Sequence, residues 1–202
     1  MRLCREKGGS LIEMLIASTI GLIAIGSIGS IYLVVQQHAS ERSQVLLLNQ
    51  AMATAARRIQ NDLLRAGYSE LGTTSRPLGA TSTIHVSADG ARAQYVYWDD
   101  HQESGAEYEN VLWTFSAASQ SLRICRYRKN TILDTNYFSA KRCTSLLEED
   151  LISVTHFALG VFNVSGPSAS KQYLHLSMAA QLRGNSEVTA SMERKFLIRN
   201  GQ

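Results

Sequence analysis

A chain of 202 residues with 45% apolar side chains has material for one soluble domain of ordinary size and a segment left over. The formal charge of +3, from 20 basic and 17 acidic residues, is too balanced to argue for a nucleic-acid partner by itself. A mean hydropathy of −0.10 excludes a polytopic membrane protein.

The apolar material is concentrated near the N-terminus. Met14 to Val35 carries no charged residue. A helix of that length spans roughly 33 Å, enough for a hydrocarbon core of about 30 Å. Arg2, Arg5 and Lys7 precede the run, and nothing basic follows until Arg42. Positive charge stays cytoplasmic, so the C-terminal bulk is expected on the far side of the membrane. A cleaved secretory signal would need a short apolar core and an A-x-A-like site. Gln36-Gln37-His38-Ala39 follows instead, with the helical pattern unbroken. Glu13 stands at the start of the run, where an unpartnered carboxylate costs roughly 2.5–3.5 kcal/mol on insertion scales. Either the helix N-terminus favours it through the macrodipole, or it has a partner.

Beyond the run the helical period continues. Val45, Leu48, Met52, Ala55, Ile59 and Leu63 form one apolar stripe. Arg57, Arg58, Asn61, Asp62 and Arg65 lie mostly off it, with Arg58 and Asp62 spaced to pair on a solvated face. Gly67 is a natural stop, so the helix is expected over about Ser10 to Ala66. Gly21, Gly26 and Gly29 interrupt the apolar half. Ala17/Gly21 and Gly26/Ser30 have the small-xxx-small spacing that lets membrane helices approach closely, although glycine is common in such helices anyway.

After Gly67 the texture changes to short β-branched and aromatic runs. Strands are expected at Ile84–Val86, Ala93–Trp98, Val111–Ser116, Ser121–Tyr127, Val154–Val164, Tyr173–Leu182 and Val188–Ile198. In the last two, Leu174, Leu176, Met178, Ala180 and Leu182 share one face, as do Val188, Ala190, Met192, Phe196 and Ile198. Arg183-Gly184-Asn185-Ser186 reads as the turn between them. The expectation is α+β: a long N-terminal helix whose stripe covers a mainly antiparallel sheet with one buried face.

Three cysteines are present. Cys4 lies in the basic leader, where no apolar stretch precedes it. Cys125 and Cys143 fall in the exported domain, where disulfides persist, and are expected to bridge. No signature of a hydrolase, zinc peptidase, P-loop or dinucleotide fold occurs, and the five histidines are scattered. The expectation is therefore no enzyme, no cofactor and no metal. Two patches could still bind something. Asp99, Asp100 and Glu103, with Glu107 and Glu109 around Gly105, are a Ca²⁺ candidate, or simply a solvated acidic loop without EF-hand spacing. Arg123, Arg126, Arg128 and Lys129 around Tyr127, with Lys141 and Arg142 near Cys143, are a DNA-binding candidate, or a charged strand edge that discourages pairing.

Lys7-Gly8-Gly9-Ser10-Leu11-Ile12-Glu13 resembles the leader of type IV pilins and type II secretion pseudopilins: a short basic leader ending in Gly, then Ser or Thr, aliphatics, Glu and a retained apolar helix. The resemblance implies cleavage by prepilin peptidase between Gly8 and Gly9, with methylation of the new N-terminus, although Gly9 stands where the family usually has Phe. Glu13 then becomes the assembly carboxylate, pairing with the new amine of a neighbouring subunit. Arg58–Tyr68, ending in R-A-G-Y, is similar to the end of the long helix in PilW-type minor pilins, a group that includes prepilin peptidase-dependent protein B. Tyr95–Asp100 looks like that group as well. The implied organisation is a leader at 1–8, a transmembrane half-helix at 9–35, an amphipathic half-helix at 36–66 and a periplasmic β-rich domain at 67–202. The implied role is to prime pilus assembly with other minor pilins and to sit at the pilus tip. Its partners are the major pilin, prepilin peptidase and the inner-membrane assembly platform. Two alternatives stay open at this point: a J-like pseudopilin of type II secretion, and a membrane-tethered periplasmic enzyme or a DNA- or adhesion-binding module.

Overall fold

A computed structural model describes residues 10–70, 73–99, 107–135, 143–165 and 170–198. One long helix, α1, runs over Leu11–Leu63. Eight strands follow: β1 Ile84–Val86, β2 Arg92–Trp98, β3 Tyr108–Ser116, β4 Ser121–Lys129, β5 Cys143–Ser145, β6 Ile152–Ser165, β7 Ser170–Leu182 and β8 Asn185–Leu197. The chain divides into two compact units, Met1–Gln44 and Val45–Gln202, and α1 contributes to both.

In the first unit, the large apolar side chains from Leu11 to Val35 are all exposed. This helix is long and apolar enough to cross a membrane. The hydroxyls of Ser18, Thr19, Ser27 and Ser30 each donate to a carbonyl three or four residues back, at 2.8–2.9 Å. They thus carry no unmet hydrogen bond into an apolar medium.

In the second unit the strands form two antiparallel sheets. The first has the order β1-β2-β3-β4-β5 and the second β6-β7-β8. The expected α+β organisation, a long helix packed on mainly antiparallel strands, holds, with the strands divided between two sheets rather than one. Side-chain alternation reports which face is buried, not which strands are hydrogen-bonded, so it cannot distinguish one sheet from two over a common core. The last turns of α1 supply Leu48, Met52, Ala55, Ala56, Ile59 and Leu63 to a single cluster. Tyr95, Val111, Trp113 and Ile124 come from the first sheet, and Phe157, Leu174, Leu176 and Met178 from the second. Each such large side chain contributes roughly 1.5–3 kcal/mol on burial. Val45, counted in the stripe from sequence, is exposed.

The sheets are stitched by backbone bonds. The Val154 N–H donates to the Gln120 carbonyl at 2.8 Å, and the Leu159 N–H to the Gly90 carbonyl at 2.9 Å. Gly90 has φ +71°, and a Cβ there would lie 3.0 Å from the Leu159 carbonyl oxygen. Only glycine fits that crossing. The β7–β8 turn is Arg183–Gly184, two residues shorter than expected, because β8 begins at Asn185. The 14-residue β6 carries an irregularity between Val154 and His156.

Candidate functional site

The N-terminal candidates divide. Gly8 and Gly9 lie outside the described residues. Glu13 lies in the first turn of α1. Its N–H and that of Met14 donate to the Ser10 carbonyl at 3.0 and 3.2 Å, which marks Ser10 as the helix cap. Ser10 and Glu13 have the spacing of a capping box, so the sequence Ser-Leu-Ile-Glu starts the helix as well as carrying the carboxylate. Glu13 is exposed, as is every large apolar residue around it. A Cβ added at Gly21, Gly26 or Gly29 would meet nothing within 4 Å, so no packing within the chain requires these glycines.

At the other end of α1, each residue of R-A-G-Y has a structural task. The Arg65 guanidinium lies 5.9 Å from the Tyr97 ring centroid. Ala66 is fully buried. Gly67 has φ 79°, and its N–H donates to the Val96 carbonyl at 2.9 Å. The Tyr68 carbonyl accepts from the Trp98 N–H at 2.9 Å. The chain leaving the helix is thereby laid along β2, with Gly67 supplying the left-handed C-terminal cap.

Asp62 does not pair with Arg58 on a solvated face. It is buried on the sheet side of α1 and is ion-paired with Arg126 of β4. Beside this pair, Trp113 Nε1 donates to the Tyr95 hydroxyl at 3.3 Å. Burial pushes the Tyr95 phenol well above its ordinary value, and the Asp62 carboxylate adds to that.

The remaining basic candidates are also met by carboxylates. Arg123 makes a two-pronged contact with Glu149, at 2.8 and 2.9 Å. Arg128 donates to Glu109 at 2.9 Å and to Asp99 at 3.2 Å. Lys129 is exposed at the end of β4. Lys141 and Arg142 lie outside the described residues. Three of the four cations offered as a nucleic-acid surface are thus spent within the fold, which leaves little free positive charge for phosphates at these positions. Asp99 of the acidic patch faces Arg128, while Asp100 and Glu103 lie outside the described residues. Among the described residues, no group of three or more His, Cys, Asp or Glu is arranged to hold a metal ion.

Cys125 and Cys143 are disulfide-bonded, and they face each other in the β4–β5 register. Of the loop that the bridge closes, residues 131–134 are bonded to side chains of the first sheet. The Leu133 N–H donates to Asn110 Oδ1 at 2.8 Å, and Asn110 Nδ2 donates to the Thr131 carbonyl at 3.2 Å. Gln94 Nε2 donates to the Asp134 carbonyl at 3.2 Å. These contacts explain why Gln94 and Asn110, only 3% and 1% exposed, are tolerated as buried amides. Sequence reading did not anticipate this bracing, because each polar partner lies at least 20 residues away along the chain.

No curated protein and no solved structure shows significant similarity to the chain. The family model for prepilin peptidase-dependent protein B matches residues 41–198, most of the chain. That match begins beyond the apolar stretch, so it is independent of the Lys7–Glu13 string. It covers the R-A-G-Y cap, the bridged cysteines and both sheets. The chain belongs to the prepilin peptidase-dependent protein B family, a pilus-related family.

Proposed function

We propose that the protein is a minor type IV pilin that prepilin peptidase cuts between Gly8 and Gly9. It acts as a structural subunit, not an enzyme. The leader stays cytoplasmic and the second unit lies in the periplasm. α1 holds the subunit in the inner membrane until it is drawn into a filament. There, other minor pilins and the major pilin cover its exposed apolar side chains. With those minor pilins it primes assembly and occupies the pilus tip.

The observation that carries this reading is the placement of Glu13. It is the single charged residue between Ser10 and Val35, set in the first helical turn beside the proposed new N-terminus. An amine created at Gly9 of one subunit neutralises Glu13 of its neighbour. Each charge then offsets the other in a medium where either alone costs several kcal/mol. Membership of a prepilin peptidase-dependent family, reached through residues 41–198, supports the same conclusion from the other end of the chain.

The test is a Glu13→Ala chain in cells lacking the wild-type copy. The variant should be trimmed and membrane-inserted, with surface pili reduced at least about tenfold. Wild-type piliation would contradict the pairing. Normal pili with lost protein export in a deletion strain would transfer the subunit to type II secretion.

A further inference from the structure

We propose that the outer face of the first sheet carries a notch that binds a carboxylate group. Its walls come from separate pieces of chain: His85 of β1, Ser87 after it, Arg92 and Gln94 of β2, Leu112 of β3, and Thr135 beyond β4. The register sets His85 beside Gln94 and Gln94 beside Leu112, so these three form one row on one face. The Ser87 N–H donates to the Arg92 carbonyl at 2.9 Å, which closes the β1–β2 hairpin and fixes Arg92 at the rim. The Gln94 amide holds the Asp134 carbonyl, and that bond brings Thr135 to the opposite wall.

Arg92 and His85 are side chains at the notch that can donate to an anion. Arg123, Arg126 and Arg128, the other arginines in this sheet's interior strands, each meet a carboxylate. Arg92 has no carboxylate within ion-pair distance among the described residues. Asp89, in the adjoining turn, interacts with Arg92 through space, but its hydrogen bonds are made within the turn: it accepts from Ser87 Oγ at 2.5 Å and from the Ala91 N–H at 3.1 Å, while the Asp134 carboxylate accepts from Thr135 Oγ1 at 3.4 Å. The Arg92 guanidinium and the His85 imidazole are left as donors around a floor made by Leu112.

Size selects the class of ligand. The cavity is about 110 Å³. That is several times what one water needs, about 10–15 Å³, and well below the roughly 300–1,000 Å³ of pockets for drug-sized ligands. A guanidinium fork suits a planar carboxylate, which it can grip with two parallel bonds. The group is therefore the end of an aspartate or glutamate side chain, or a small free carboxylic acid.

The experiment uses the full-length chain, ¹⁵N-labelled in detergent micelles, titrated separately with acetate, inorganic phosphate, acetyl-Ala-Glu-Ala-amide and its Gln counterpart. Acetate should cause saturable shifts of the Gln94 side-chain amide and of the Ser87 and Thr135 backbone amides. Arg92→Gln should weaken binding about tenfold or more, whereas Arg123→Gln, whose guanidinium is engaged by Glu149, should leave it unchanged. Binding of the Glu peptide but not the Gln peptide assigns the group to a protein side chain. Binding of acetate without the Glu peptide assigns it to a small acid. No saturable shift, equal binding by Arg92→Gln, or a clear preference for phosphate would each overturn the proposal. None of these readouts involves piliation, so failure here is separable from failure of the minor-pilin reading.

Discussion

Asp62 and Arg126, 64 residues apart in sequence, form an ion pair between the last turns of α1 and the fourth strand. The pair is asymmetric: the Asp62 side chain is 13% exposed and that of Arg126 34%. It fixes the helix on the sheet at the point where the chain must turn into R-A-G-Y.

That asymmetry ranks two substitutions. Arg126→Ala leaves a buried carboxylate without its partner and should cost about 2–4 kcal/mol, near the range for broken buried pairs. Asp62→Ala leaves an arginine that can reach water, and should cost about 1–2 kcal/mol. Chemical denaturation of both variants and the double variant tests this. Equal costs, or no coupling between the sites, would contradict it.

Gly90 and Gly184 both sit in hairpin turns, but only Gly90 is irreplaceable. Alanine at Gly90 combines a left-handed backbone with a contact of 3.0 Å on the Leu159 carbonyl, and should lower stability by about 2 kcal/mol or more. Alanine at Gly184 meets nothing within 4 Å and should change stability by at most about 0.5 kcal/mol. Thermal melting of the two variants decides between them.

Removing the Cys125–Cys143 bridge should destabilise the domain by about 2–4 kcal/mol. The bonds from Asn110 and Gln94 to 131–134 should then open more readily. Hydrogen exchange at the Leu133 amide, whose N–H is bonded to Asn110, should therefore accelerate in Cys125→Ser/Cys143→Ser. Unchanged exchange would mean that the two amides hold the loop without the bridge.

The Arg123 fork, through its hydrogen bonds, holds the Glu149 carboxyl below its ordinary value of 4.5. A carboxyl depressed on folding adds stability above its unfolded value and loses it as pH falls through the folded one. Stability lost between pH 5 and pH 3 should thus be smaller in Glu149→Gln than in the unaltered chain. Both ends of the pair are partly exposed, so the difference should be modest and should shrink in salt. An identical acid profile would show that the pair adds nothing.

Much of this architecture is written in local patterns. The even-numbered apolar residues from Leu174 to Leu182 are all buried, and the helix ends four residues before the stop at Gly67. β5 escaped notice because Cys143-Thr144-Ser145 lacks the β-branched apolar residues that marked the equally short β1, and it exists through its pairing with β4. Asp62 was misassigned because an apolar stripe marks the centre of a buried face, not its margin, where a charge can be buried if a distant strand supplies the countercharge. Arg123 and Arg128 read as a free basic patch for the same reason: Glu149 and Glu109 lie 26 and 19 residues away. The helix start at Ser10 and Glu13 was legible because its signal is local, in the Ser-Leu-Ile-Glu spacing. The Arg92 notch was not, since four separated pieces of chain build it.

The central claim is that a short basic leader is removed to expose an amine at Gly9 that answers Glu13. Intact mass and N-terminal sequencing of the membrane-extracted protein, from cells with and without prepilin peptidase, test it most directly. The account predicts a chain beginning at Gly9 when the peptidase is present and the uncut leader when it is absent. The same mass in both strains, with Met1 to Gly8 still attached, would contradict it.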